Sequence, residues 1–395
     1  MSTDATHRDS GPLVPDVSPP ALRAARTATR GFFLIAGIST SSWASMVPLA
    51  KARLDLDEAH LGLVLLCMGL GSTAAMPVAG VLSHRYGNRK VLTIGGLVVC
   101  LGLLLVTLAP SAILLGAALV LFGGAAGVLD VAMNAHAVDV ETLHRRPLMS
   151  GFHGLYSAGG LAGSAGMSAL LGTGAPLVAC AGVVSLLLAV IVATQWRKLI
   201  ALVRDEAAPR RSRFVLPSAT VFVLGGLCLV VFLAEGAMMD WSAVFLRSAR
   251  GFAISRAGLG FAAFSVTMTT GRLFGDRLTS ALGPVRIVRY GSLVAAGGFV
   301  LATSLPWPAT SLAGFVLVGL GASNIVPVLF SAAGRIPGAS PGISIATVTV
   351  FGYSGMLSGP VAIGFLAHAT SLSLALGGVA VLLVVVSACA AIARW

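Results

Sequence analysis

Residues 61–109 read LGLVLLCMGLGSTAAMPVAGVLSHRYGNRKVLTIGGLVVCLGLLLVTLA. Two apolar runs flank one short hinge, and the hinge carries Arg85, Arg89 and Lys90. A bilayer core needs roughly 20 apolar residues per helix. Lipid offers no partner for backbone polar groups, so a single apolar run crosses it as a helix. The stretch therefore predicts a membrane hairpin with a tight basic turn.

The same pattern extends in both directions. Spans are expected at residues 31–50, 61–82, 91–109, 112–137, 150–171 and 177–196, then at 218–240, 258–275, 287–305, 311–331, 343–366 and 372–392. The expected fold is an all-α membrane protein of twelve transmembrane helices. Composition agrees, with 56% hydrophobic and only 10% charged residues among 395, where a soluble domain carries about a quarter charged. The 48 glycines suit helices whose backbones approach closely in lipid. Five cysteines all lie in apolar runs without a paired C-x-x-C spacing, so neither a zinc site nor a disulfide framework is expected.

The net charge of +12 would suggest nucleic-acid binding in a soluble protein. Here the basic residues fall between apolar runs, which points to topology. With the N-terminus in the cytoplasm, the inside segments hold twenty-one of the 26 lysines and arginines, leaving five outside. Cytoplasmic loops carry such an excess, so both termini are expected inside. Trp196, Trp307 and Trp395 fall at span ends, as interfacial anchors do. Residues 1–30 read as a disordered cytoplasmic tail, 31–196 as one six-helix half, 197–214 as a cytoplasmic central loop and 215–395 as the second half.

The halves align with each other. Trp43 and Gly62 recur 198 positions later as Trp241 and Gly260. Gly127 and Asp130 recur as Gly321 and Asn324, offset 194, and Tyr156-Ser157 recurs as Tyr353-Ser354, offset 197. His84-Arg85 matches Asp276-Arg277, offset 192. Six spans return the chain to its starting side, so the repeats are parallel and related by a pseudo-two-fold axis. Such repeats enclose a site near the bilayer midplane and rock about it.

On these residues the chain resembles the major facilitator superfamily. That family carries G-x-L-x-D-R-x-G-R-R/K after its second helix. Gly80-Val-Leu-Ser-His84-Arg85-Tyr-Gly87-Asn-Arg89-Lys90 is similar, with His84 where the acid is usual. Gly271-Arg272-Leu-Phe-Gly275-Asp276-Arg277 is a diverged copy that keeps the acid. Leu129-Asp130-Val-Ala-Met-Asn134-Ala, Pro147-Leu-Met-Ser-Gly-Phe-His153-Gly-Leu-Tyr156-Ser and Glu235-Gly-Ala-Met-Met-Asp240-Trp241 resemble the narrower MosC-like bacterial transporters. The resemblance implies secondary transport by alternating access and brings little information on the solute. Gly355, Gly359, Pro360 and Gly364 resemble the Gly-Pro motif of superfamily antiporters, but that motif belongs on the fifth span and here lies on the eleventh, so antiport is not inferred.

Ionisable residues inside a membrane are costly and mark functional positions. Asp130, with Asn134 one turn later on the same face, is a candidate proton or substrate site; the bland alternative is a helix-packing clasp. Glu235 follows an unbroken apolar run from Val221 and is the stronger candidate for proton coupling. Trp43, His153, Tyr156, Trp241, Asn324 and Tyr353 are candidate lining residues, because aromatic faces and amides hold small polar solutes. Each alone is more often packing than ligand. Asp240 reads as a rim acid near Arg247.

Gate residues are expected at the cytoplasmic ends: His84, Arg85, Arg89, Asp139, Glu141, Arg272, Asp276 and Arg277. His136, Asp139 and Glu141 are expected to pair with Arg85, Arg89, Arg145 or Arg146. Arg272 is expected to pair with Asp276 one turn later. By resemblance, Asp276 reaches the start of the fifth span near Gly151, and His84 faces the start of the eleventh near Ile343.

Enzyme signatures are missing. No G-x-x-x-x-G-K-S/T occurs, and Gly338-Ala-Ser340-Pro-Gly342 sits in a proline-containing loop with no strand before it. Neither a cofactor nor a metal is called for. The expected function is secondary active transport of a small solute across the cytoplasmic membrane, coupled to protons, by a monomer with no nucleic-acid partner. The alternative, a non-transporting sensor on the same scaffold, calls for a large signalling domain that these segments do not hold.

Overall fold

The computed structural model describes residues 17–200, 217–253, 256 and 258–394. Among them the chain forms thirteen α-helices and no strand. The first half comprises α1 (Pro19–Arg53), α2 (Glu58–Tyr86), α3 (Asn88–Leu108), α4 (Ala112–His144), α5 (Met149–Gly172) and α6 (Leu177–Gln195). The second comprises α7 (Ala219–Arg250), α8 (Leu259–Leu282), α9 (Pro284–Ser304), α10 (Pro308–Ala322), α11 (Ile325–Gly334), α12 (Pro341–Ala369) and α13 (Leu372–Ala388). One end of the bundle carries the start of α1 and the α2–α3, α4–α5 and α8–α9 links. We call it the basal face, and the other the far face.

Ten stretches are long and apolar enough to cross a membrane, with α10 and α11 together making one. The remaining two helices, α5 and α8, have 24 residues each. Glycine and serine dilute α5, and Arg272, Asp276 and Arg277 dilute α8. With these two the spans number twelve. Large apolar side chains such as Ile113, Leu186, Phe365 and Val381 stand exposed around the bundle. A surface of that kind suits hydrocarbon rather than water.

Packing repeats between the halves. In the first, α1 packs on α5, α2 on α4, and α3 on α4 and α6; in the second, α7 packs on α12, α8 on α10, and α9 on α10 and α13. The halves meet along α2–α12 and α5–α8. The two tight basal turns also repeat. Gly87 and Gly283 each end one helix and begin the next, with φ of 80° and 81°. Only glycine takes that conformation without strain.

The far face holds another repeated device. Arg53, at the end of α1, donates to the carbonyls of Val106, Thr107 and Ala109 at the end of α3. Arg250, at the end of α7, donates to Ala302 and Thr303 near the end of α9 at 2.9 and 3.2 Å. The last carbonyls of a helix lack partners within it, and a cation there also suits the helix dipole. These arginines stand 197 positions apart, in register with the repeat.

Two expectations are corrected. The disordered tail through residue 30 does not hold, because α1 begins at Pro19. Its first turns are Ala- and Arg-rich, which favours helix outside lipid as well. Residues 1–16, residues 201–214 of the central loop, and Trp395 lie outside the described residues. The tenth span, expected unbroken over 311–331, turns at Ser323-Asn324 between α10 and α11. The cause is Pro327, which has no N–H for the carbonyl four residues back and so frees the Ser323 oxygen.

Candidate functional site

Two polar networks occupy the middle of the bundle. The first belongs to α4 and α5. Asn134 Nδ2 donates to Asp130 Oδ1 at 3.1 Å and to the Asp130 carbonyl at 2.9 Å. Asn134 Oδ1 meets His153 Nε2 at 3.1 Å, so that nitrogen carries the proton. The His153 ring packs against Phe33 of α1 and Phe330 of α11. It thus touches both halves.

The second network centres on Arg272. Its Nη2 donates to Glu235 at 3.2 and 3.4 Å, its Nη1 to Ser157 Oγ at 3.0 Å, and its Nε to the Ser323 carbonyl at 3.3 Å. The carbonyl freed by Pro327 therefore anchors one edge of the guanidinium. The other donors point at a carboxylate of the second half and a hydroxyl of the first. Arg272 is only 7% exposed, so the pair is held largely away from water.

Tyr156 stands in electrostatic reach of Asp130, Arg272 and Glu235, and Tyr353 in reach of Asp130 and Tyr156. Tyr156 thus links the Asp130–Asn134–His153 network to the Arg272–Glu235 pair. Glu235 is the carboxylate that holds the guanidinium directly. Asp130 has only an amide as its hydrogen-bond partner among the described residues.

Other candidates lie apart. Asn324 is buried against α8, where its Nδ2 donates to the Gly271 carbonyl at 3.0 Å and to Ser323 Oγ at 2.9 Å. A Cβ on Gly275 would overlap Asn324 Oδ1, so this amide fills a joint. Trp43 is buried at 4% exposure. Trp241 packs on Gly364 of α12, and its Nε1 has no hydrogen-bond partner among the described residues. Asp240 is exposed.

At the basal face the expected pairings are redrawn. Arg272 does not pair with Asp276; it reaches the buried Glu235 instead. Asp276 Oδ1 accepts the Gly151 N–H at 3.0 Å, the contact expected at the start of the fifth span. His84 is exposed, and Ser83 is the residue beside Gly342. Glu141 is 1% exposed and serves as acceptor for both halves. It takes the Leu148 and Met149 N–H groups at 2.8 and 3.1 Å, Ser331 Oγ at 2.6 Å and Arg335 Nη2 at 2.9 Å. Its cationic partner is therefore Arg335 rather than Arg85, Arg89, Arg145 or Arg146. Asp139 accepts from Asn88 Nδ2 at 3.0 Å. Arg89 lies over the Trp196 ring and Arg85 over Tyr86. Arg277 is exposed. His136 bridges Thr29 and the Ile200 N–H at 3.0 Å each, tying the start of the central loop to α1 and α4.

Sequence reasoning missed Ser157, Ser323, Ser331 and Arg335. For Arg335 a signal was present, because it lies 194 positions after Glu141, the offset that relates Asp130 to Asn324.

Comparison with known proteins gives a consistent result. A family model described as the Major Facilitator Superfamily matches residues 31–340. An uncharacterized MFS-type transporter of Yersinia pestis is 46% identical, over 92% of this chain and 94% of that protein. The membrane protein MosC of Rhizobium meliloti is 32% identical, over 89% of this chain and 85% of that protein. Among solved structures, FucP in the outward conformation matches with a TM-score of 0.81 at 16% identity, covering 95% of this chain and 100% of that one. FucP is described as the E. coli fucose:proton symporter.

Proposed function

The chain belongs to the Major Facilitator Superfamily of secondary transporters, and from that premise we propose that it moves a small solute by alternating access with protons as the coupling ion. The observation that carries the reading is the mid-span ion pair. Glu235 sits against the Arg272 guanidinium at 3.2 Å, and a second mid-span carboxylate, Asp130, has an amide rather than a cation as its partner among the described residues. A carboxylate withdrawn from water favours its neutral form, and a neighbouring cation favours its charged form. A site whose balance shifts when Arg272 moves can therefore take up and release a proton.

The basal contacts support the second half of the reading. Glu141 accepts from residues of both halves at that face, and Asp276 of the second half accepts from Gly151 of the first. Among the described residues, Arg53 at the far end of α1 and Arg250 at the far end of α7 bond within their own halves. The structure thus resembles a state closed at its base. The excess of lysine and arginine at the basal end supports its assignment to the cytoplasm, with both termini there.

The test is substrate-dependent proton flux in proteoliposomes, after a thermal-shift screen of sugars, polyols, amines and drug-like cations. The reading expects internal pH to change when a stabilising solute is added on one side. A solute that moves with no pH change would remove proton coupling and leave uniport.

A further inference from the structure

The first turns of α1 lie before the apolar run and carry Arg23, Arg26 and Arg30. They are fixed in place. Ala25, Ala28 and Thr29 are fully buried, and Thr29 meets His136 of α4 at 3.0 Å. Arg26 and Arg30, one turn apart on this helix, are half-buried, and the Nε of each is shut from solvent without a hydrogen-bond partner among the described residues.

The charges around them do not balance. Arg26 feels repulsion from Arg30 and from Arg146 in the α4–α5 link, and attraction from Asp276 alone among the described residues. Asp276 already accepts the Gly151 N–H through one oxygen. Like charges at i,i+4 destabilise a helix. Three guanidinium groups against one carboxylate leave planar donor forks whose shape matches a phosphate. Arg30 immediately precedes Gly31, where the apolar run begins, so the cluster sits at headgroup depth.

We propose that Arg26, Arg30 and Arg146 form a binding site for the phosphate of an anionic phospholipid headgroup at the basal face. The shared chemistry is a phosphate anion; the depth of Arg30 favours the bilayer as its source over a soluble phosphate. The site is separate from the central cluster and does not depend on what is transported.

The test uses the full chain in detergent, with lipid retention read by native mass spectrometry and thermal unfolding followed in parallel. Phosphatidylglycerol, phosphatidylcholine and soluble glycerol phosphate are compared. Phosphatidylglycerol is expected to be retained and to raise the unfolding temperature most. Arg26→Gln with Arg30→Gln is expected to weaken its binding roughly thirtyfold, at about fivefold per arginine. Arg26→Lys with Arg30→Lys keeps the charge and most of the binding, and Arg247→Gln on the far face changes nothing. If the double glutamine variant fails to fold, the exposed Arg146→Gln carries the test, with a loss of about fivefold. Wild-type binding in the glutamine variants, or equal retention of phosphatidylcholine, overturns the site. Equal stabilisation by glycerol phosphate at matched phosphate overturns the lipid as its ligand.

Discussion

Glu141 and Arg335 stand 194 positions apart, at equivalent places in the two halves, and their side chains meet at 2.9 Å. A repeat mate thus contacts its own counterpart at the basal face. The pair is not symmetric in its other bonds. Glu141 also takes two backbone N–H groups at the start of α5, which hold it to the first half.

That asymmetry predicts a failed charge swap. Glu141→Ala should speed labelling of a basal cysteine by roughly tenfold or more, the equivalent of about 1.4 kcal/mol. Glu141→Arg with Arg335→Glu should not restore the wild-type rate, because the Leu148 and Met149 N–H groups would face a cation. Full restoration by the swap would show that the ion pair alone closes the base.

Glu235→Gln should abolish accumulation driven by a pH gradient while leaving substrate exchange measurable in proteoliposomes. Arg272→Gln should be the more damaging change to folding, since it leaves a buried carboxylate without its cation, typically a cost of about 3–5 kcal/mol. The double variant should recover part of that loss. Thermal unfolding of the three proteins orders them, and a double variant no better than Arg272→Gln would place the value of Arg272 in its Ser157 and Ser323 bonds.

Asp130→Asn should impair turnover with little change in stability. Asn324→Asp should do the reverse. It buries a carboxylate between Gly271, Gly275 and Ser150, and loses the donors to Gly271 and Ser323. A yield and unfolding temperature for Asn324→Asp equal to wild type would contradict the joint described here.

Pro327→Ala returns an N–H to α11 and lets the Ser323 carbonyl bond within its own helix. The unfolding temperature should rise modestly, by the equivalent of about 1 kcal/mol, since the new N–H pairs a buried carbonyl within one continuous helix. Turnover should fall, because Arg272 loses an anchor. Amide exchange at residue 327 reports the new bond; slow exchange with unchanged turnover would make the anchor irrelevant.

Asp276 clasps the start of α5, while exposed His84 offers no such clasp to the start of α12. His84→Asp should slow basal cysteine labelling by about two- to fivefold, the effect of an acid at a helix N-terminus worth about 0.3–1 kcal/mol. Unchanged or faster labelling would rule out the clasp at that end.

The spans were legible because hydropathy reports burial in lipid directly. Asp130 and Glu235 stood out for the same reason, as charges in apolar runs. Arg272 was misread because a local partner, Asp276, lay one turn away, and local spacing says nothing of a buried carboxylate on another helix. The helical start of α1 was missed because it lies outside the apolar run, where hydropathy is silent on helix. Pro327 was visible in the sequence, yet its effect depends on which side chain claims the freed carbonyl. Arg335 was recoverable only by applying the repeat offset to Glu141.

The arginine caps on the far face have a kinetic consequence. Among the described residues Arg53 and Arg250 donate within their own halves, so neither cap has to break when the halves move apart or together. The side-chain hydrogen bonds among the described residues that join the halves belong to Glu141, Asp276 and Arg272, all at the base or the centre. Leaving this state therefore means breaking several charge-assisted bonds at once. The opening step should carry a large activation enthalpy and a steep temperature dependence. The return step, which forms those bonds again, should be the less temperature-sensitive half of the cycle.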